Sequence, residues 1–334
     1  MSDNSNGAPA LAKMMVGAWM TQGIHVAAEL GIADLLVAGP LTADELARRS
    51  GAHGDSLYRV LRALASVGIF SEDAQRRFSL TPMAEALRSD VPGTMRAFAR
   101  MAGAEFYQTW GHLLDSARTG EQGFRRAFGS AWFEYMTARP DRHAIYDAAM
   151  NGVHGAETEP VINAYDFSAL GTLADIGGGN GSALAAILQR NSRLHGILFE
   201  LPGVAERARA VLANAQLDGR CQVVGGDFFK SVPSADAYVL RHVIHDWEDA
   251  QAESILRNCR AAMRPGGRVL VVETVLPPGD QPCFGKWLDL MMLLVGGRER
   301  TEEQYRGLFG RAGLRLNRIV PTAHEVSVIE GAAA

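Results

Sequence analysis

The sequence predicts a two-part α/β chain, with a mainly helical N-terminal part followed by a part in which strands and helices alternate. Three observations carry this. From about Thr172, apolar runs at 172–176, 195–199, 221–224, 236–240 and 268–272 alternate with helix-periodic stretches at 181–190, 203–215, 248–263, 284–295 and 301–312. Two further strands, 314–320 and 324–330, close the chain. Finally, residues 173–182 read Leu-Ala-Asp-Ile-Gly-Gly-Gly-Asn-Gly-Ser, a strand that ends in a glycine turn and re-enters a helix. Alternating βα units build a parallel sheet covered on both faces, and ligands of such sheets lie beyond the carboxyl ends of the strands.

Residues 10–165 carry helical patterns almost throughout. Leu11, Met14, Met15, Ala18 and Trp19 fall on one face of a first helix, and Thr21–Leu36 continues the pattern. Thr42 with Glu45 forms a capping box that opens a helix over Ala43–Ser50. Asp55 or Ser56 caps the next helix, whose stripe is Leu57, Val60, Leu61, Leu64 and Val67. Ile69-Phe70 and Arg77–Leu80 flank Asp73-Ala74-Gln75 as a hairpin, and Pro82 starts another helix at its first position. Further helices are expected at Phe98–Ser116, Ser130–Thr137 and Asp141–Val153.

Helix, turn, helix and hairpin follow one another in winged-helix order. DNA binding is disfavoured, because residues 1–100 hold ten Lys/Arg against ten Asp/Glu and so lack a basic face. The whole chain of 334 residues has a formal net charge of −4, which gives no pull toward nucleic acid or an anionic membrane. Cys221, Cys259 and Cys283 are scattered and suit a reducing compartment. There is no apolar run of the roughly 18 residues that a membrane span needs, and no signal-peptide pattern. Cytoplasmic placement and an unstructured leader over residues 1–9 are expected.

The glycine turn is the strongest chemical signal. Gly177, Gly179 and Gly181 give Gly-x-Gly-x-Gly and not the Gly-x-Gly-x-x-Gly of dinucleotide sites, which favours a nucleoside ligand without a pyrophosphate over a nicotinamide cofactor. A tight turn with no ligand is the plain alternative. Glu200 follows the next strand, roughly where an acid holds a ribose diol; a cap-like acid before the following helix is the alternative. Asp227 with Phe228 and Phe229 suits an adenine, although Asp227 could be a turn aspartate after Gly225-Gly226.

Leu240–Trp247 reads Leu-Arg-His-Val-Ile-His-Asp-Trp and brings His245 to the same rim, with Asp246 placed to cap the following helix. A lone histidine is more often structural. Here Glu273 ends a strand on that rim and Glu299 precedes a helix near it, and two carboxylates beside one imidazole would orient it and raise its basicity. Tyr146, Met150, Trp287, Met291 and Met292 are candidates for an acceptor-pocket wall, with plain core packing as the alternative.

Five of these segments in this order resemble the plant-type, caffeate- and hydroxyneurosporene-like O-methyltransferases of small molecules, which use S-adenosylmethionine: 175–181, Phe-Glu-Leu-Pro at 199–202, Gly-Gly-Asp-Phe-Phe at 225–229, 240–247, and Gly-Gly-Arg-Glu-Arg-Thr at 296–301. The N-terminal half is similar to that family's winged-helix-like dimerisation domain, including Leu-Tyr-Arg-Val-Leu-Arg-Ala-Leu at 57–64. The resemblance implies a Rossmann-like class I methyltransferase domain with a mostly parallel seven-stranded sheet over 166–331. It also implies a dimerisation domain over 10–100 and a helical linker with pocket residues over 101–165.

Carried over by position, the resemblance implies that Asp175, Gly177, Gly178, Gly179, Glu200, Leu201, Gly226, Asp227, Phe228, Phe229 and Arg241 bind the cofactor. His245 would be the general base, held by Glu273 and Glu299, and Asp246 would touch the acceptor. Glu200 stands where plant members have aspartate and Arg241 where they have lysine; both keep their charge. The loop before Glu299 is short and lacks an asparagine that helps read substrate in some plant members, which argues against phenylpropanoid acceptors. The expected reaction is methyl transfer to an aromatic or polyketide-like hydroxyl, leaving S-adenosylhomocysteine, in a homodimer with no metal, nucleic-acid or membrane partner. A relative doing hydroxylation or decarboxylation, or a winged-helix regulator that senses a nucleoside, are the competing readings.

Overall fold

The computed structural model describes residues 7–217 and 219–334. They divide into two compact units. The first holds the described residues up to Gly111 together with Phe133–Gly155; the second holds His112–Trp132 and Ala156–Ala334. The expected 101–165 segment is therefore shared between both units.

In the first unit, strands β1 (Leu41–Thr42), β2 (Phe70–Glu72) and β3 (Arg77–Leu80) form an antiparallel sheet in the order β1-β3-β2. The Thr42 capping box forms: its side chain accepts from the Glu45 N–H while the Glu45 carboxylate accepts from the Thr42 N–H, opening the helix Ala43–Ser50. The next helix, Gly54–Ala65, starts earlier than expected, because the His53 ring and not Asp55 or Ser56 takes the orphan N–H of Ser56. Leu57, Leu61 and Leu64 are buried from that helix, whereas Val67 lies beyond its end and is exposed.

Two expectations about the N-terminal half need correction. Gly7-Ala8-Pro9 open the helix Gly7–Met15, since proline is tolerated in a first helical turn, so an unstructured leader does not run to residue 9; residues 1–6 lie outside the described residues. The single helix expected at Phe98–Ser116 is instead Arg96–Met101, a π-turn Ala102–Phe106, Tyr107–Trp110 and Leu113–Thr119. The Gln22 Nε2 donates to the Gly103 carbonyl at 2.8 Å, and a Cβ on Gly103 would stand 2.2 Å from His25, so the helix Gly17–Glu29 presses into the i→i−4 ladder there.

The second unit carries β4 (Thr172–Ile176), β5 (His195–Glu200), β6 (Cys221–Gly225), β7 (Ala235–Arg241), β8 (Met263–Glu273), β9 (Val275–Leu276), β10 (Arg300–Thr301), β11 (Leu314–Pro321) and β12 (Ser327–Ala333). The main sheet runs β11-β12-β8-β7-β4-β5-β6 and is parallel except at β12, which pairs antiparallel with both neighbours. β12 starts at Ser327 and not at 324, because the Thr322 hydroxyl donates to the Val326 carbonyl and accepts from the His324 N–H, closing a turn.

Successive residues of the central strands feed opposite cores. Ala174, Ile176, Tyr238, Leu240, Val269 and Val271 pack on one side with Ile255 and Phe309. Leu173, Val239, Leu270 and Val272 pack on the other with Leu184 and Leu198. A sheet buried on both faces explains the continuous apolar runs. Its strand order reverses at β4, and the glycine turn leaves the carboxyl end of that strand. Among the described residues no helix is long and apolar enough to cross a membrane.

Gly178 is held by packing beneath this turn: a Cβ there would lie 2.4 Å from the Asp175 carboxyl carbon and 2.5 Å from Leu198 Cδ1. Gly178→Ala is expected to lower stability in urea unfolding by about 1–3 kcal/mol. Gly203→Ala, in the first turn of the helix Pro202–Asn214 with open space around it, serves as the neutral control.

Candidate active site

The rim is assembled by backbone geometry. Gly177 and Gly179 have φ of +70° and +58°, a region open to glycine at little cost. The Gly177 N–H donates to the Phe199 carbonyl at 2.8 Å, binding the turn to the end of β5. A Cβ on Gly177 would meet Val243 at 2.9 Å and Phe228 at 3.7 Å, so residues following β6 and β7 close over this glycine. A Cβ on Gly179 would meet nothing within 4 Å, leaving bare backbone beside open space.

Glu200 connects the next pieces. Its carboxylate accepts from the Leu201 N–H at 2.7 Å and from the Gly179 N–H at 3.3 Å, and its carbonyl accepts from the Gly226 N–H at 2.9 Å. The helix behind it is capped at Leu201, so Glu200 is no cap. Asp227 accepts from the Phe229 N–H at 2.9 Å, which is the turn role the sequence allowed, while its other oxygen lies 3.3 Å from Lys230 Nζ. Phe228, Phe229 and Trp247 pack edge to face, with centroids 4.8–6.0 Å apart.

Asp175 is buried under the turn. Desolvation pushes its carboxyl up to about 7 against the charge of Arg241, which favours the anion, while Glu200 adds to the rise. Arg241 itself donates to Thr158 Oγ1 at 2.9 Å. Thr158, Asp175 and Arg241 line a cavity of about 10 Å³, near the size that admits one water.

His242 leaves β7 with φ of +53°, an uncommon value for a residue with a side chain, and its Nε2 lies 2.6 Å from Glu157 Oε2. This kink introduces the short 3₁₀ turn Ile244–Asp246 that bears His245. His245 is buried, at 6% exposure. Its Nδ1 is 2.6 Å from Glu299 Oε1, its backbone N–H donates to Glu273 Oε1 at 3.0 Å, and its Nε2 is 3.6 Å from Asp246 Oδ1. Glu273 thus grips the main chain and Glu299 the ring; the expectation that both hold the imidazole is corrected to one each.

Burial alone would depress the His245 imidazolium. The Glu299 carboxylate, by charge and hydrogen bond, with Asp246 and Glu273 behind it, overrides burial and raises the imidazole to about 10. Desolvation lifts Asp246 to about 6 and also raises Glu273. Asp246 is no helix cap either: the helix Asp249–Ala262 is capped at Glu248.

Several supports were not legible in the sequence. Tyr305, fully buried, donates its hydroxyl to Glu273 Oε2 at 2.5 Å. Asp289 accepts the Glu299 N–H at 2.9 Å. β9 and β10 pair in parallel, Val275 with Arg300 and Leu276 with Thr301, which fastens the chain after Glu273 to the chain after Glu299. The capping box Thr301–Gln304, seen in the structure, fixes where that loop must end.

Of the pocket-wall candidates, Met291 and Met292 are buried on the helix Gly285–Val295, whereas Trp287 on the same helix is 68% exposed. Tyr146 and Met150 lie on the helix Pro140–His154 of the first unit.

The donor set suits a nucleoside at one end, with bare glycine backbone, a carboxylate for a diol and an aromatic cluster, and a proton acceptor at the other. The comparisons give the family. Residues 110–315 match the O-methyltransferase domain and residues 12–90 the O-methyltransferase dimerisation domain. A phenazine O-methyltransferase, PhzM, of Lysobacter antibioticus is 44% identical, over 96% of this chain and 94% of that protein. The mitomycin biosynthesis 6-O-methyltransferase of Streptomyces lavendulae is 39% identical, over 95% and 92%. The crystal structure of NcsB1, an O-methyltransferase from neocarzinostatin biosynthesis, with S-adenosylmethionine and 2-hydroxy-5-methyl naphthoic acid superposes with a TM-score of 0.84 at 36% identity, covering 94% of this chain and 96% of that one. The chain belongs to the O-methyltransferase family and is an S-adenosylmethionine-dependent O-methyltransferase of the secondary-metabolite type.

Proposed function

We propose that the chain methylates a hydroxyl of a flat, ring-bearing small molecule, with His245 as general base. The observation that carries this reading is the buried His245–Glu299 pair on the strand-end rim. Phenazine, mitomycin and naphthoic acid, the compounds named for the relatives, all contain fused rings, and buried Met291 and Met292 suit such a face.

Bound S-adenosylmethionine supplies a methyl group that is electrophilic without help from the protein. In this reading the glycine turn Gly177–Gly179 lies along its methionine part, Glu200 accepts from its ribose hydroxyls, and Asp227 with Phe228 and Phe229 holds the adenine. Leu201 and Gly226 fix Glu200 through its carboxylate and its carbonyl. Arg241 supports the turn from beneath as the charge partner of Asp175.

The nucleophile is the weak partner, since a phenol ionises only near pH 10. With Nδ1 engaged by Glu299, His245 receives the acceptor's proton at Nε2. The neutral ring is the form that takes this proton, and the Glu299 carboxylate stabilises the imidazolium that results, so the pair raises the proton affinity of Nε2 as the oxygen turns nucleophilic. Asp246, beside Nε2, is placed to bond the acceptor. The exposed Leu11, Met14, Met15 and Trp19 of the first unit suit cover by a second copy of the chain, as a homodimer. Three unpaired cysteines suit the cytoplasm.

The test is turnover of labelled S-adenosylmethionine with a panel of phenolic polyketides, hydroxyphenazines and hydroxynaphthoates, counting S-adenosylhomocysteine against methylated product. A ratio of one to one is expected; oxidised or decarboxylated product without methyl incorporation overturns the reading. His245→Ala should lose roughly 10²–10⁴-fold in kcat while cofactor affinity changes little. Near wild-type turnover would remove the base assignment.

The pH profile supplies a second check. At neutral pH the raised imidazole holds a proton, so kcat/KM rises with pH on an alkaline limb. Glu299→Gln removes the charge that raises it, so the limb should move to lower pH with a reduced plateau. An unmoved limb would assign it to another group.

A further inference from the structure

Arg300 is the largest fully buried side chain among the described residues. Its Nη1 donates to the carbonyls of Ile244 at 3.1 Å and Arg298 at 3.2 Å. Its Nη2 donates to the Trp247 carbonyl at 2.8 Å and to Asp249 Oδ1 at 3.0 Å, and Nε reaches the same Asp249 oxygen at 3.1 Å. Ile244 and Trp247 flank His245-Asp246, so one rigid fork spans the turn that presents the histidine, and Asp249 begins the helix behind it.

The residues before Arg300 grip the same turn. The Arg298 N–H donates to the His245 carbonyl at 2.7 Å, and Glu299 takes the ring. Gly297 has no side chain to spare: a Cβ there would stand 2.1 Å from the His245 carbonyl oxygen. Residues 297–300 therefore lie as a strap across the turn, anchored at its far end by β10. The guanidinium also favours the charged forms of Glu273 and Asp289.

We propose that Arg300 is the positioning residue of the methyl-transfer site, fixing the 244–249 turn so that the His245 ring is held in register with the acceptor oxygen. The proposal rests on His245 acting as the base. A shift of the reacting groups by about 1 Å costs on the order of 10²-fold in rate, so a clamp on the main chain is felt in kcat without touching the ligands. A lysine in its place keeps the charge but is a point donor with no fork, and cannot hold both carbonyls and Asp249 at once.

The experiment is a double-mutant cycle in the full chain with Arg300→Lys, His245→Asn and the pair, reading kcat, the KM for each substrate and the melting temperature. Arg300→Lys is expected to lower kcat about 10- to 100-fold, with KM for S-adenosylmethionine changed less than about twofold. In the His245→Asn background the same change should have almost no effect on the residual rate. An undiminished kcat in Arg300→Lys, or a loss that multiplies unchanged in the His245→Asn background, overturns the proposal. If His245→Asn alone keeps its rate, the base reading fails separately. Should Arg300→Lys not yield folded protein, Asp249→Asn loosens the fork from its solvent-facing end and carries the same test: a several-fold loss of kcat that vanishes in the His245→Asn background supports the clamp, and no loss overturns it.

Discussion

The hydrogen bond between His245 Nδ1 and Glu299 is the interaction on which the rest of the second unit's rim depends. Both side chains are almost wholly withdrawn from water. A carboxylate in that position is costly unless it is paired, and an imidazole beside it is driven to hold its proton. The surrounding structure keeps the pair together from the main chain outward. Glu273 takes the His245 N–H, Asp289 takes the Glu299 N–H, and β9 with β10 stops the two glutamate-bearing segments from separating. Tyr305 in turn closes the second oxygen of Glu273. The imidazole is thereby left with Nδ1 fixed by Glu299, and in the proposed reading Nε2 does the chemistry.

The other end of the rim obeys a different constraint. There the problem is how close backbone can come to a ligand, and glycine answers it. Gly177 sits against Val243 and Phe228, Gly178 against Asp175 and Leu198, and Gly179 alone faces open space. Three adjacent glycines thus serve three purposes. Val243 joins the two ends, since it packs on Gly177 and lies two residues before His245. A small displacement of the turn after β7 would be felt at both.

Much of this was legible in the sequence, for identifiable reasons. The strand–helix alternation from Thr172 and the capping box at Thr42 are local signals, and local hydrogen bonds fulfil them. Glu200 and Glu299 were readable because acids at strand ends and before helices collect on one rim in a parallel sheet. What escaped was non-local. Nothing in Asp289 or Tyr305 as isolated residues points to a glutamate, and the division of labour between Glu273 and Glu299 is set by tertiary register. The broken helix after Arg96 escaped because its cause, the close approach of His25 and Gln22 to Gly103, comes from about eighty residues away. Trp287 reads as a wall residue by type, and its exposure on the helix Gly285–Val295 is not visible in the sequence.

The direct measurement is the protonation state of the His245 ring, read by ¹⁵N NMR of histidine-labelled protein and assigned with His245→Asn. The ring is expected to titrate above the ordinary value of 6.5, because the Glu299 carboxylate at Nδ1 favours its protonated form. A ring that titrates at or below 6.5 would contradict that pairing.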